Sequence, residues 1–262
     1  MSAIQGIDPT ARRVPPMGGF NLTMLRIEMR RMMRNRRTII FALIFPAVMF
    51  LVFGSGDQGA EKVGEGNVSA YVMVSMALYG GALIAAATGA GVAVERALGW
   101  SRQLRLTPLH PTVYILIKAF VALVMGAVAI TAVNVVGLLK GDPQMPTDTW
   151  IYCALATMAC VMTFAALGVF AGYVVPGENV MQILGPGLAL LSFLGGLFIP
   201  LSQYSETVRD IAYWSPMYGV AEVARAPLTH ELPWYAIVNA VGWFAIFVLG
   251  AAWRMSKDTA RV

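Results

Sequence analysis

Residues 69–93 read SAYVMVSMALYGGALIAAATGAGVA, twenty-five residues without one charged side chain. A helix needs about 20 apolar residues to cross a hydrocarbon core of roughly 30 Å, so this stretch alone is long enough to span a bilayer. Five further runs of similar character surround it, at about 38–55 (TIIFALIFPAVMFLVFGS), 113–139, 149–175, 180–200 and 234–253 (WYAIVNAVGWFAIFVLGAAW). In lipid every backbone polar group must be paired within the protein, so the six runs are read as helices; barrel strands would be shorter and would alternate. The run at 180–200 is the least regular, being interrupted by Gly185-Pro186-Gly187 and Gly195-Gly196.

Composition agrees with this reading. The 262 residues are 58% hydrophobic and 13% charged, with a mean hydropathy of +0.66, whereas soluble domains carry roughly 25% charged residues. The expected architecture is an all-α polytopic membrane protein of one domain, residues 1–262, with an arm at 1–37, six spans within 38–253 and a tail at 254–262.

The net charge of +5 raises the alternatives of nucleic acid or an anionic surface, and the position of the charges separates them. Arg12, Arg13, Arg26, Arg30, Arg31, Arg34, Arg36 and Arg37 precede the first run; Arg96, Arg102 and Arg105 lie between the second and third; Arg254, Lys257 and Arg261 follow the last. The alternate loops hold Lys62, Lys140, Arg209 and Arg225 against nine acids. Such a bias places both termini in the cytoplasm by the positive-inside rule and leaves no role for nucleic acid. The first apolar run begins some 37 residues in and lacks a small-residue cleavage pattern, so it is expected to remain as a span. Ahead of it NLTMLRIEMRRMMRNRR puts Leu22, Leu25, Met29, Met32 and Met33 on one helical stripe beside Arg30. This is the pattern of an amphipathic helix that lies at the membrane interface or docks on a partner.

Several chemistries are disfavoured. Carriers driven by protons or sodium usually hold carboxylates or exposed carbonyls at mid-membrane depth, yet Lys118 near the start of the third run and Glu95 and Lys140 at margins are nearly the whole ionisable content of the spans. No lysine follows a glycine, so the chain has no phosphate loop of its own. The two histidines, His110 and His230, fall on opposite sides, and no metal site or catalytic constellation is expected. Cys153 and Cys160 would lie about 10 Å apart along one helix, too far for a disulfide, and are read as packing residues.

Two segments between and within the spans carry more information. Small residues crowd the second run (Gly80, Gly81, Ala85, Ala86, Ala87, Gly89, Gly91), and Gly168 and Gly172 have the small-xxx-small spacing that lets helices approach closely, either within the chain or at a subunit interface. After the fifth run, residues 199–233 interleave Val208, Ile211, Ala212, Trp214 and Tyr218 with Glu206, Arg209 and Asp210, between the punctuating Pro200 and Pro216. That segment reads as a re-entrant cap or as an exit gate.

The connector at 95–111, ERALGWSRQLRLTPLHP, completes the reading. Glu95-Arg96-Ala97-Leu98-Gly99-Trp100, then Leu104-Arg105-Leu106-Thr107-Pro108 and Lys118 further on, resembles the coupling helix of ABC exporter permeases of the type-two class, closest to the bacterial drug-resistance and antibiotic-export branch. Gly195-Gly196-Leu197-Phe198-Ile199-Pro200, Trp214-Ser215-Pro216 and Ala221-Glu222-Val223-Ala224-Arg225 resemble the same family's outer re-entrant region, with Pro200, Trp214 and Pro216 at an outer gate. The chain departs from the family at Ala97 and Trp100, where members often carry an acid and a threonine.

The resemblance implies a permease subunit in the bacterial cytoplasmic membrane that binds no cofactor itself, with ATP and Mg held by two copies of an ATP-binding subunit docked on 95–108. Leu22, Leu25, Met29, Arg30 and Met33 would belong to the connecting helix. In the docking helix Ala97, Trp100 and Leu104 would form the buried stripe, Arg96, Arg102 and Arg105 would pair with acids around it, Gly99 would permit close approach, and Pro108 would end the helix. One chain has too few helices to enclose a large path, so a second permease, identical or homologous, is expected. The family path lies between the second and fifth spans, which here present Tyr71, Met73, Met76, Tyr79, Phe193 and Phe198. Such a surface suits hydrophobic or amphipathic cargo, a drug, antibiotic or lipid. An exporter of lipid-linked glycan or other envelope component, and a scaffold subunit that moves nothing, are the alternatives.

Overall fold

The computed structural model describes residues 16–99, 103, 107, 109–177 and 179–259. The helices are α1 (Leu22–Arg34), α2 (Arg36–Phe53), α3 (Val68–Ala97), α4 (Pro111–Lys140), α5 (Thr147–Val174), α6 (Val180–Leu194), α7 (Glu206–Tyr213), α8 (Pro216–Thr229) and α9 (Trp234–Thr259). A small antiparallel hairpin pairs Lys62 with Asn67 and Val63 with Gly66. Polar caps start the first helices: the side chain of Asn21 accepts from the Thr23 amide at 2.7 Å, and that of Asn67 from the Ala70 amide at 2.9 Å. Asn67 also donates to the Asp142 carbonyl at 2.8 Å, which ties the hairpin to the α4–α5 loop.

The centre of the bundle is α3, which packs on α5 most extensively, then on α4, α2, α6 and α8. Its small residues make this possible. A Cβ on Gly168 of α5 would lie 2.1 Å from the Ala86 carbonyl oxygen of α3, and one on Gly89 would lie 2.4 Å from that of Ala165. The small-xxx-small spacing is therefore used inside the chain. In lipid no hydrophobic force drives helices together, so association rests on van der Waals packing of this closeness. Cys153 and Cys160 are free and buried on α5.

Among the described residues five helices, α2, α3, α4, α5 and α9, are long and apolar enough to cross a membrane. The run at 180–200 is shorter than expected: α6 ends at Leu194, and its 15 residues rise about 22 Å. The cause is Gly195-Gly196. Gly196 takes φ +72°, its amide bonds Phe193 and that of Leu197 bonds Ser192, which closes the helix in a left-handed turn.

The outer segment forms two helices of different character. Short α7 is amphipathic and largely exposed, with Trp214 81% exposed at its end. By contrast α8, starting from Pro216 with Ser215 as its cap, is enclosed by α5, α9 and α3. The hairpin folds against its end: Gly64, at φ +57°, would place a Cβ only 2.0 Å from the Leu228 carbonyl oxygen.

Candidate functional site

A cluster of buried charged groups lies at the end of the bundle that carries α1. Glu28 of α1, Glu95 of α3 and Lys118 of α4 are 6%, 2% and 3% exposed. Lys118 Nζ donates to Glu28 Oε2 at 2.5 Å and also to Glu95 Oε1. Glu95 accepts further from Arg31 Nη1 and from the Tyr114 hydroxyl. Two carboxylates, one ammonium and a half-exposed guanidinium thus share one site, which joins the first helix to the last turns of α3 and the first of α4. A cavity of about 210 Å³ adjoins it, walled by these groups, by Thr88 and by Met181 of α6.

The structure turns the start of the 95–108 connector inward. Glu95 is committed to Lys118, and Arg96 Nη1 donates to the Gly172 and Tyr173 carbonyls at 3.2 Å, satisfying oxygens left free at the end of α5. Ala97 and Leu98 face outward, and Gly99 takes φ +72° with open space where a Cβ would be. Trp100, Arg102, Leu104, Arg105 and Pro108 lie outside the described residues.

The connecting-helix residues converge. Leu22, Leu25, Met29, Arg30 and Met33 all line one groove, completed by Arg26, Arg34 and Phe120 of α4. What the sequence reading missed is Glu28, together with Tyr114 and Arg31. A signal was present: Glu28 is the lone acid between Arg12 and Arg37, and Lys118 is a charge inside an apolar run that requires a partner.

The residues expected along a path divide into three groups. Met73 and Met76 are fully enclosed, because α3 is surrounded by its own chain. Tyr79, Phe198 and Phe193 form an aromatic ladder, with ring centroids 5.1 Å apart for the first pair and 4.6 Å for the second; Phe193 is exposed at its edge. Tyr71 lies beneath Arg225, whose Cζ is 4.5 Å from the ring centroid.

Arg225, counted in the sequence as an outer-loop charge, is instead 2% exposed within α8. It donates to the Tyr71 hydroxyl, to the Gly196 carbonyl at 3.0 Å and to Glu222 Oε1 at 2.9 Å, binding α8 to α3 and to the turn that ends α6. Of the expected gate residues, Pro200 starts the turn before α7, Trp214 ends α7 and Pro216 begins α8, so all three frame the short helix. A separate apolar cavity of about 400 Å³ lies between α4, α5 and α9, with Lys118 on its wall and none of the expected path residues lining it.

At the opposite end Thr149 Oγ1 donates to Glu65 Oε2 at 2.8 Å, and His230 Nε2 lies 2.8 Å from Glu65 Oε1. The Thr149 bond, then the His230 bond, hold the Glu65 carboxyl below its ordinary value of 4.5. A lowered carboxylate value means that its contribution is present above 4.5 and lost as pH falls through the lowered value. Amide exchange across 62–68, corrected for the intrinsic rate, is expected to rise on such acidification, and Glu65→Gln should show the raised exchange at every pH. An identical profile in wild type and variant would mean that Glu65 does not hold the hairpin.

The fold is thus a bundle of long apolar helices in which an amphipathic helix, α1, is tied by buried charges to the start of a polar connector. The sequence pattern of the ABC-2 type transporter family matches residues 21–228, and the chain belongs to that family. It is a multi-pass membrane permease subunit of an ABC transporter, a transport component rather than an enzyme, and the family implies an ATP-binding partner. A relative in Bacillus subtilis strain 168, "Putative transport permease YvfS", is 24% identical over 237 residues, which cover 89% of this chain and 96% of the relative.

Proposed function

We propose that the chain is half of the membrane part of an exporter for a hydrophobic or amphipathic molecule, a drug, antibiotic or lipid, in the bacterial cytoplasmic membrane with both termini in the cytoplasm. Two copies of a separate ATP-binding subunit, which hold ATP and Mg, dock on residues 95–108. A second permease, identical or homologous, completes the path. Residues 180–200 act as the sixth crossing, with α6 supplying most of its depth and α7 and α8 forming the re-entrant outer region.

The observation that carries this reading is the Glu28–Lys118–Glu95–Arg31 cluster. It joins the connector to two other helices through buried charges, so a displacement of 95–108 is passed to α1, α3 and α4 as one body. The aromatic ladder of Tyr79, Phe198 and Phe193 begins where Phe193 faces outward, and supports an apolar cargo meeting the chain at α6.

The test is co-purification of the tagged chain from its native membrane in mild detergent, repeated with Gly99→Asp and Arg102→Glu. An ATP-binding subunit should accompany the wild type and be lost from both variants while they remain in the membrane. Variants that retain it unchanged would remove the docking role from 95–108. In the reconstituted complex, hydrolysis stimulated by apolar drugs supports the proposed cargo, and stimulation only by lipid-linked sugar replaces it with a glycan.

A further inference from the structure

The row Arg26, Arg30 and Arg34 is unexplained by the helix's inner contacts. The three recur every fourth residue and so stand above one another on α1. All are exposed, and none takes part in the ion pairs found among the described residues. The one acid of the helix, Glu28, is turned away from them and committed to Lys118. Like charges at this spacing repel, so an anion set against the row would stabilise it, and the described part of the chain does not supply one.

Beside the row lies a groove of about 780 Å³ whose remaining lining is apolar. Its far wall is Phe120, half exposed and about 14 Å along the membrane-crossing α4 from the start of that helix. Met33, 62% exposed, lies on the α1 side. A water-soluble partner could neutralise the arginines but has no means of covering a ring at that position on a span. Free phosphate would likewise leave the apolar half unfilled. An amphiphile with a negative head and a hydrocarbon tail satisfies both halves.

We propose that the α1–α4 groove binds an anionic phospholipid, its phosphate held by Arg26, Arg30 and Arg34 and one acyl chain laid over Met29, Met33 and Phe120. Because the opposite side of α1 is fastened through Glu28 to Lys118, the bound lipid sets the position of the helix that carries the buried cluster. The inference does not require the ATP-binding partner, and its test is made without one.

The full chain, purified in mild detergent, is titrated with dioleoylphosphatidylglycerol or dioleoylphosphatidylcholine, and lipid adducts are counted by native mass spectrometry. Phosphatidylglycerol is expected to bind at concentrations lower by roughly tenfold or more, the order expected for three arginines facing one anionic surface. The Arg26→Gln/Arg30→Gln/Arg34→Gln variant should lose that preference, Arg30→Gln alone should reduce it, and Arg254→Gln/Lys257→Gln should keep it. Glycerol phosphate, which has the head but no tail, should fail to compete. No preference in the wild type, an unchanged preference in the single and triple variants, or full competition by glycerol phosphate would each overturn the proposal. So would loss of a co-purifying protein from the triple variant while the wild type shows no lipid preference, which would make the row a protein-docking face.

Discussion

Lys118→Met is expected to lower the unfolding free energy of the chain by about 3–5 kcal/mol, the usual penalty for removing one partner of a buried ion cluster. The size follows from what is left behind. Glu28 and Glu95 are both enclosed, and the remaining cation, Arg31, lies 3.9 Å from Glu28 Oε1 while already serving Glu95. Arg31 is 42% exposed at its side chain, so water screens part of what it offers. The loss should therefore be partly offset but not removed.

Glu95→Gln should cost much less, because Lys118 keeps Glu28 at 2.5 Å and the amide can still accept from the Tyr114 hydroxyl. The double variant Lys118→Met/Glu28→Gln should recover a large part of the single loss, since replacing a buried pair is far cheaper than breaking one. Unfolding by sodium dodecyl sulfate in mixed micelles reads all three. A neutral Lys118→Met would show that water reaches the cluster and that the three helices are not fastened by charge.

Gly168→Leu should also be strongly disruptive, at about 3 kcal/mol or more, at or above the upper end of the usual cost of overpacking. Even the first added carbon would lie 2.1 Å from the Ala86 carbonyl oxygen and 2.8 Å from the Ala86 Cα, which are backbone atoms and cannot swing aside. Relief requires α3 and α5 to separate, and this is the most extensive helix pair in the bundle. Gly242→Ala is the matched control on α9, where an added Cβ meets nothing within 4 Å. It should be neutral or gain up to about 1 kcal/mol from helix propensity. Equal effects at the two positions would mean that α3 and α5 do not make this close approach.

The two predictions rest on features of unequal visibility. The glycine spacing of α5 can be read from the letters alone, although whether it serves the chain or a subunit interface cannot. The carboxylate that Lys118 requires could also be anticipated, yet Glu28 lies 90 residues away along the chain and Glu95 lies 23. A helix surface offers many such pairings, and only packing selects one.

Sequence alone determined the membrane character, the existence and approximate limits of the long helices and the amphipathic nature of α1. These depend on composition and on local periodicity. The arginine bias and the 95–108 pattern likewise needed no coordinates to suggest a permease, and the family match at residues 21–228 bears that out. Tertiary structure decided the rest. It placed α3 at the centre and so enclosed Met73 and Met76, and it drew Arg225 inward from a supposed loop to hold α8. Each outcome depends on which helix faces meet, a property of pairs of segments far apart in the chain. Periodicity identifies the apolar face of a helix, whereas the close approach of two backbones and the partner of a buried charge are fixed only when all the faces compete for the same space.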